Sequence, residues 1–556
     1  MKLIKIAILS LTVLFSASGC FKSKFDSNLN NPNVPQPENA DVDLYLNAVQ
    51  LSFAGFFGTI SDFGMEPTRM AVMFGPTYAN AYNPTSYDGL WNTAYTQIFK
   101  QVNALIPIAN GQKKFVHVGM AKILKAYTAM TLVDLFGDIP FTEANLGIEN
   151  TNPALTNGAT VYAEAIKLLD DAIVDLAKTP GSYPAALDLF YKASNATGAG
   201  RWRKLAKTLK LRAYMQTRLV DNTVPAKISA LITENDLINV VADDFEFKYN
   251  TKLANPNSRH PFYNRNYSAA GSAGDYMATY FMWTLVQEKG SGANQDPRTR
   301  YYFYRQRTNY AEVDVTSVSC SVAPPPTHFP PGMPYCLLIS GYWGRDHGDN
   351  SGIPPDGNRR TTWGIYPAGG EFDASQGTSV ALERGARGAG IHPIFLSTFT
   401  NFLKAEAALK TGAPGTPRTL LENGIRASLS KVIGYPATVG FTVSAAFVPS
   451  QATLDAYVNK VLALYDAATT DDQRMEVLFK EYYIALWGNG IDVYNNYRRT
   501  GKPGNMQFTR QPGQSPVYIR SHLYPSDHVN LNKNAVQKPS VGVQVFWDNN
   551  PANFVQ

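Results

Sequence analysis

Apolar residues recur at intervals of three and four over much of the chain, which is the period of amphipathic helices. The clearest stretch is 117–136, where this spacing persists and Gly137 and Pro140 follow as a stop. Comparable patterns predict further helices at 43–57, 87–109, 160–178, 201–220, 394–410, 418–433, 451–465 and 471–487. The predicted fold class is therefore all-α.

Consecutive predicted helices are joined by short turns, and their spacing is near the period of about 34 residues of tetratricopeptide repeats. The Trp-Leu-Gly-Tyr consensus of those repeats is not evident in the sequence. We therefore predict a helical-repeat core that is TPR-like.

The helical pattern is interrupted between residues 250 and 391, where glycine and proline are dense and only 274–287 keeps a helical period. A structureless connection of that length is improbable inside a compact domain, so we expect an ordered, functional, loop-rich excursion. The predicted organisation is a single domain over 41–556. It comprises a helical core at 41–249 and 392–498, the excursion, and an irregular C-terminal tail at 499–556.

The first nineteen residues have the layout of a signal peptide: a basic start, an apolar run over 6–15 and small residues over 16–19. The apolar run is too short for a membrane span, which needs about 20 residues. Cys20 then stands where the bacterial lipobox places its lipidated cysteine, which predicts an acylated N-terminus at Cys20 and a tether over 20–40. The alternative is an ordinary signal peptide followed by a chance cysteine.

Two further cysteines, Cys320 and Cys336, bracket a proline-rich loop in a chain that carries an export signal. Exported proteins fold in oxidising compartments, so we predict a disulfide between them. Two free buried thiols are the alternative.

Composition narrows the classes of function. Charged residues make up 17% of the chain, the formal net charge is +6, and basic residues cluster only in pairs such as Arg359-Arg360. Nucleic-acid binding, which needs a basic patch, is therefore not expected.

The sequence lacks the Gly-x-Ser-x-Gly elbow, the phosphate loop, the His-Glu-x-x-His motif and Cys-x-x-Cys. We therefore expect no enzyme activity, no cofactor and no zinc or redox site.

Several segments occur together in an order typical of one family. They are the lipobox leader, Leu29-Asn30-Asn31-Pro32-Asn33, the stretch 121–141 with Leu135-Phe136-Gly137-Asp138-Ile139-Pro140, 201–212 from Arg201-Trp202 to Leu211-Arg212, Gly344-Arg345-Asp346-His347-Gly348-Asp349-Asn350, Trp487-Gly488-Asn489-Gly490, and Tyr497-Arg498-Arg499-Thr500-Gly501-Lys502-Pro503. The chain resembles SusD/RagB-type outer-membrane lipoproteins over nearly all of its mature length.

This resemblance implies a mainly helical nutrient-binding lipoprotein, lipid-anchored in the outer membrane and exposed at the cell surface of a Bacteroidetes-type bacterium. It further implies that the protein caps a SusC-like TonB-dependent transporter and delivers an oligosaccharide to it. The alternative is a RagB-like protein that binds peptides and has the same role as a transporter lid. A structural surface protein without a small ligand is a third possibility.

Exposed aromatic rings beside amides, carboxylates and guanidinium groups suit sugar binding, because sugar rings stack on aromatic planes while their hydroxyls need polar partners. Within the family, ligand contacts tend to come from the loop before an early helix and from the central excursion. The candidate ligand-binding residues are accordingly Tyr78, Tyr82, Tyr87 and Trp91 in the first region, and Tyr342, Trp343, Asp346, Asn350 and Trp363 in the second. The alternative is that these rings belong to the core, since aromatic residues dominate protein interiors.

Two polar groups have a structural and a functional interpretation. The acidic turn at 346–350, with Asp356 nearby, offers oxygens for calcium, but its spacing fits no EF-hand, and a turn that satisfies its own backbone is favoured. Arg498 and Arg499 could contact a partner or ligand, but pairing with carboxylates or with helix carbonyls is favoured.

Overall fold

The computed structural model describes residues 41–178, 183, 188–192, 195–309, 323–349, 356–513 and 517–556. Within these ranges the protein is mainly helical, as predicted. The helices are α1 (Val42–Met65), α2 (Tyr78–Ala81), α3 (Asp88–Asn92), α4 (Lys100–Gly111), α5 (Phe115–Phe136), α6 (Gly158–Ala177), α7 (Ala196–Thr217), α8 (Val224–Glu234), α9 (Pro261–Asn266), α10 (Thr279–Val286), α11 (Thr299–Tyr302), α12 (Ser397–Thr411), α13 (Pro417–Thr438), α14 (Gln451–Ala467), α15 (Asp471–Ala485), α16 (Gly490–Thr500) and α17 (Ser526–Leu531).

Helix α5 lies at the centre of the fold and is buried along almost its whole length. It packs on α6, α6 packs on α7, and α12 packs on α13, so successive helices form antiparallel pairs. One hydrophobic cluster runs from Val42 to Val555, so both ends of the described chain contribute to the same core.

The excursion is closed at its base by two short strands, β1 (Phe245–Lys248) and β4 (Ile391–Phe395), which pair antiparallel. Inside it, β2 (Phe303–Arg305) pairs with β3 (Thr361–Trp363), again antiparallel. Within its described residues, the excursion thus consists of loops and three short helices, α9, α10 and α11, tied by two small ladders.

Several helix boundaries differ from the sequence analysis, since α1 continues eight residues past the predicted end at 57 and α8 was not predicted. The predicted helix 87–109 is divided into α3, a π-helical segment Thr93–Phe99 and α4. Helix α16 follows the predicted helix 471–487 within the predicted helical core, and its last two residues extend into the predicted irregular tail. It crosses α1 at Gly64 and Gly490, where a Cβ on either residue would overlap the backbone of the other helix.

Arg498 and Arg499 are buried, and both have structural partners. Arg498 donates to the backbone carbonyls of Asp134, at 2.7 Å, and Arg520, at 2.5 Å. Arg499 pairs with the buried carboxylate of Glu406. These contacts agree with the favoured prediction that the two arginines pair with carboxylates or with helix carbonyls.

Cys336 is disulfide-bonded, and its predicted partner Cys320 lies outside the described residues, as do Cys20 and the leader. Among the helices of the described ranges, none has the length and apolar character to cross a bilayer.

Candidate ligand-binding cleft

An open cleft of about 420 Å³ lies where three distant parts of the chain meet: the loop at α2, the excursion and the C-terminal tail. We call it the aromatic cleft. It is lined by Tyr78, His328, Phe508, Thr509, Pro512, Tyr518, Ala552, Asn553, Val555 and Gln556.

The α2 side of the aromatic cleft is formed by Tyr78, the first residue of α2. The helix starts here because the Thr77 side chain accepts a hydrogen bond from the backbone N–H of Asn80. The Tyr78 hydroxyl lies 3.1 Å from Nε2 of His347, and its ring packs edge-on against Tyr518 with centroids 5.6 Å apart. Burial lowers the pKa of His347 well below its ordinary value, so this imidazole is neutral.

The excursion contributes His328, whose ring is parallel to that of Phe508, with centroids 6.5 Å apart and planes inclined by 13°. Nε2 of His328 lies 2.9 Å from the backbone carbonyl of Thr509, which fixes the orientation of the imidazole. Both rings are half-buried, so each keeps an accessible part at the cleft.

Gln507, which is fully buried, joins the three parts of the cleft wall. Its side-chain amide donates to the Pro334 carbonyl, at 2.8 Å, and to Asp346, at 2.7 Å. Its side-chain oxygen accepts from the backbone N–H of His347, and its backbone carbonyl accepts from Nε of Arg69. These bonds hold the excursion and the α2 region against the tail segment that carries Phe508 and Thr509.

Two hydroxyls in the cleft wall, Oγ1 of Thr509 and Oη of Tyr518, are buried and have no hydrogen-bond partner within the described part of the chain. Most buried polar atoms in native proteins are paired, so these two groups suit a ligand that brings its own polar atoms. None of the described residues that line the cleft carries an Asp or Glu side chain.

The structure brings one predicted ligand-binding residue, Tyr78, to the cleft. Seven others are buried in the protein: Tyr82, Tyr87, Trp91, Tyr342, Trp343, Asp346 and Trp363. The expected exposure of the rings among them is wrong, because the loops that carry them pack on other aromatic side chains. Trp363, for example, is stacked between Phe262 and Trp487, with both centroid distances 4.1 Å. Asn350 lies outside the described residues, and ligand contact by any of these residues stays a prediction.

Phe508, Tyr518 and His328 were not predicted as site residues. Phe508 and Tyr518 belong to the tail, more than 400 residues after Tyr78, and no local pattern indicates that these segments meet. The only local signal is the aromatic character of the tail itself.

Asp346, predicted as a ligand contact, instead accepts hydrogen bonds from the backbone N–H of Cys336, at 3.1 Å, and from the amide of Gln507. No group of three or more metal-ligating side chains occurs in the ranges that the structure describes. Burial raises the pKa of the Asp346 carboxyl to about 6, although the bonds from Gln507 and Cys336 lower it.

The raised pKa of Asp346 predicts a pH-dependent stability. The folded protein binds this proton more tightly than the unfolded chain does, so the contribution of the group to the free energy of unfolding is full below about pH 4 and is lost as the pH rises through 6. Relative to Asp346→Asn, the natural protein should therefore lose up to about 3 kcal/mol between pH 4 and 7. Urea unfolding of both proteins across this range measures the difference, and parallel stability curves would contradict it.

Two family profiles match the chain. One, described as "Starch-binding associating with outer membrane", matches residues 62–317. The other, described as "Susd and RagB outer membrane lipoprotein", matches residues 393–544. A search of curated proteins found no match.

Solved structures share the fold. A chitin-binding protein is 21% identical, with a TM-score of 0.64, over 92% of this chain and 100% of its own. A SusD homologue from Bacteroides fragilis is 18% identical, with a TM-score of 0.64, over 92% of this chain and 99% of its own. A chitin-binding SusD homologue from Flavobacterium johnsoniae is 19% identical, with a TM-score of 0.59, over 91% of this chain and 99% of its own. These likenesses confirm the predicted mainly helical, TPR-like fold.

Proposed function

Because this chain belongs to the SusD/RagB family of outer-membrane lipoproteins, we propose that it is a nutrient-binding protein that captures oligosaccharides in the aromatic cleft. This proposal rests on one observation: the half-exposed rings of His328 and Phe508 line the same open cleft as two hydroxyls that have no hydrogen-bond partner in the described structure. The chitin-binding proteins of the same fold support a glycan as the ligand.

The aromatic cleft offers the two kinds of contact that a sugar needs. The accessible faces of Phe508 and His328 can take the C–H face of a pyranose ring. The hydroxyls of Thr509 and Tyr518, with the exposed amide of Asn553, can bind its hydroxyl groups. The chemistry proposed for the cleft is therefore reversible binding, as the description of the matched family as starch-binding supports.

A titration of the purified protein against a panel of neutral oligosaccharides and short peptides tests the ligand class. We expect saturable binding of one glycan series, observed by calorimetry, and no saturable binding of the peptides. Binding of peptides alone would contradict the glycan proposal and favour a RagB-like role, and the absence of any saturable ligand would contradict the nutrient-binding role.

We also propose that the protein is anchored at the cell surface through acylated Cys20 and caps a SusC-like TonB-dependent transporter. The family description as an outer-membrane lipoprotein supports this arrangement. Mild-detergent extraction of native outer membranes, followed by affinity isolation of the tagged protein, should yield a transporter in stoichiometric amount. A Cys20→Ala variant is the matched control, because without the acyl chains it should leave the membrane fraction.

A further inference from the structure

A second cavity, of about 510 Å³, is formed by the turn 292–297, the excursion around 340–342, and the segment 446–453 at the start of α14. Its volume falls within the range of about 300–1,000 Å³ that small-molecule sites occupy. We call it the arginine cavity, because Arg300 and Arg305 both line it. None of the described residues that line it also lines the aromatic cleft, so the two sites are separate.

The two arginines of this cavity share a single carboxylate, that of the fully buried Asp373. Arg305 is paired with it through two bonds, from Nε at 2.6 Å and from Nη2 at 3.1 Å. Arg300 approaches the same carboxylate only to 3.8 Å, through Nη1. Two guanidinium charges therefore face one carboxylate charge, which leaves the cavity with an excess of positive charge.

The excess charge is placed at Arg300, whose side chain is 29% exposed. Its Nη1 donates to the backbone carbonyl of Asp373, at 2.7 Å, and to Oγ of Ser375, at 2.8 Å, and these bonds hold the guanidinium in place. The guanidinium carbon lies 4.9 Å from the ring centroid of the half-buried Phe447, a cation–π contact that orients it further.

The other edge of the Arg300 guanidinium, formed by Nε and Nη2, makes no hydrogen bond within the described part of the chain. These two N–H groups point in parallel, which is the arrangement that binds both oxygens of a carboxylate. Arg300 is thus held on one edge and available for an anion on the other.

The remaining charges around the cavity disfavour a cationic ligand. Asp296, the one carboxylate in the described lining, already accepts from Nη2 of Arg298 and from the hydroxyl of Tyr457, both at 2.6 Å. Helix α14, of 17 residues, begins at the cavity, where its N-cap Ser450 and Thr453 form part of the wall. The N-terminal end of a helix dipole adds to the positive potential there.

Neutral polar groups surround the guanidinium. The exposed residues Ser340, Ser375 and Thr453 bring hydroxyls to the wall, and the half-buried Gln295 brings an amide. Such groups suit the hydroxyls of a sugar ring. The matching ligand therefore has one carboxylate on a neutral, hydroxyl-rich body.

We propose that the arginine cavity binds an acidic sugar, a uronate residue, whose carboxylate takes the free edge of Arg300. This inference goes beyond the proposed function, which concerns neutral oligosaccharides in the aromatic cleft.

Calorimetry with the full-length protein in detergent at pH 7 tests this site. The probes are methyl glucuronide and methyl galacturonide, the neutral methyl glucoside and methyl galactoside, and N-acetylalanine, which has a carboxylate on a peptide-like body. We expect at least one uronide to bind at least tenfold more tightly than its neutral counterpart and than N-acetylalanine. The preference should shrink in about 0.5 M NaCl, because salt screens the attraction between the charges.

Two substitutions locate the site. Arg300→Gln, which removes the charge, should weaken uronide binding at least tenfold. Thr453→Asp places a carboxylate in the cavity wall and should weaken it at least fivefold. This second variant is expected to fold, because Thr453 is exposed in the first turn of α14, where acidic residues stabilise a helix. Ala463→Asp, at an exposed position about 15 Å further along the same helix, is the matched control and should leave uronide binding unchanged.

Equal affinity for the uronides and their neutral counterparts would overturn the proposal, as would a uronide preference that survives both Arg300→Gln and Thr453→Asp. Binding of N-acetylalanine as tight as that of the uronides would overturn the assignment to a sugar, and the absence of binding by any of these probes would overturn the site. None of these outcomes bears on neutral oligosaccharides in the aromatic cleft, which the separate titration with that panel tests.

Discussion

Substitution of Asp134 by alanine is expected to lower the free energy of unfolding by about 3–5 kcal/mol, because it leaves a buried cation and several buried donors without their acceptor. The Asp134 carboxylate is fully buried. It accepts from Nη2 of Arg212 at 3.2 Å, from the amide of Asn495 at 2.7 Å and from the indole of Trp547 at 3.0 Å, as well as from the hydroxyl of Tyr162. These donors come from distant parts of the chain, so the loss should loosen the whole core.

Arg212 keeps one partner in the variant, since its Nε donates to Asp492 at 2.6 Å, and this bond limits the loss. Urea unfolding followed by circular dichroism measures the effect. Asp171→Ala is the matched control, because its ion pair with Lys167 is exposed and should contribute less than about 1 kcal/mol. Similar destabilisation by both substitutions would show that the buried network does not stabilise the fold as argued.

This network also shows which part of the fold the sequence could predict. Asp134, Arg212 and Arg498 belong to three of the segments on which the family resemblance was based, but their spacing along the chain does not reveal that they meet. Helix α5 was predictable because its apolar positions persist over the whole of 117–136. Helix α16 was not predicted, because it buries polar side chains such as Asp492 and Asn495 as well as apolar ones such as Ile491, so its sequence shows no separate polar and apolar faces.

The candidate site was less predictable than the helices. Aromatic residues in a region rich in glycine and proline were predicted to be exposed. That prediction holds only if the loops that carry them lie open to solvent. Here the loops of the excursion fold onto each other and onto Trp487, which follows α15, so that Trp343 and Trp363 become core residues. The aromatic cleft depends on contacts between Tyr78 and the tail, and side chains that far apart in sequence leave no periodic signal.

Substitution of Phe508 by alanine is expected to weaken oligosaccharide binding at least tenfold while leaving the fold intact. Its ring is half-buried and stacks on His328, so removing it takes away one face of the aromatic cleft. The backbone N–H of Phe508, which donates to Sδ of Met333, is retained in the variant. Calorimetric titration with the glycan that saturates the unsubstituted protein measures the change, and the thermal midpoint should fall by only a few degrees.

Trp363→Ala is the contrasting variant, since it separates a ring in the cleft from a ring in the core. Trp363 is stacked between Phe262 and Trp487, so its loss should cost about 3–5 kcal/mol of stability. The fraction that stays folded should bind the glycan with nearly unchanged affinity, because Trp363 is absent from the lining of the aromatic cleft. If Trp363→Ala instead abolished binding without loss of stability, while Phe508→Ala bound normally, the ligand would have to reach the excursion interior through a rearrangement of its loops. The aromatic cleft would then not be the site of capture.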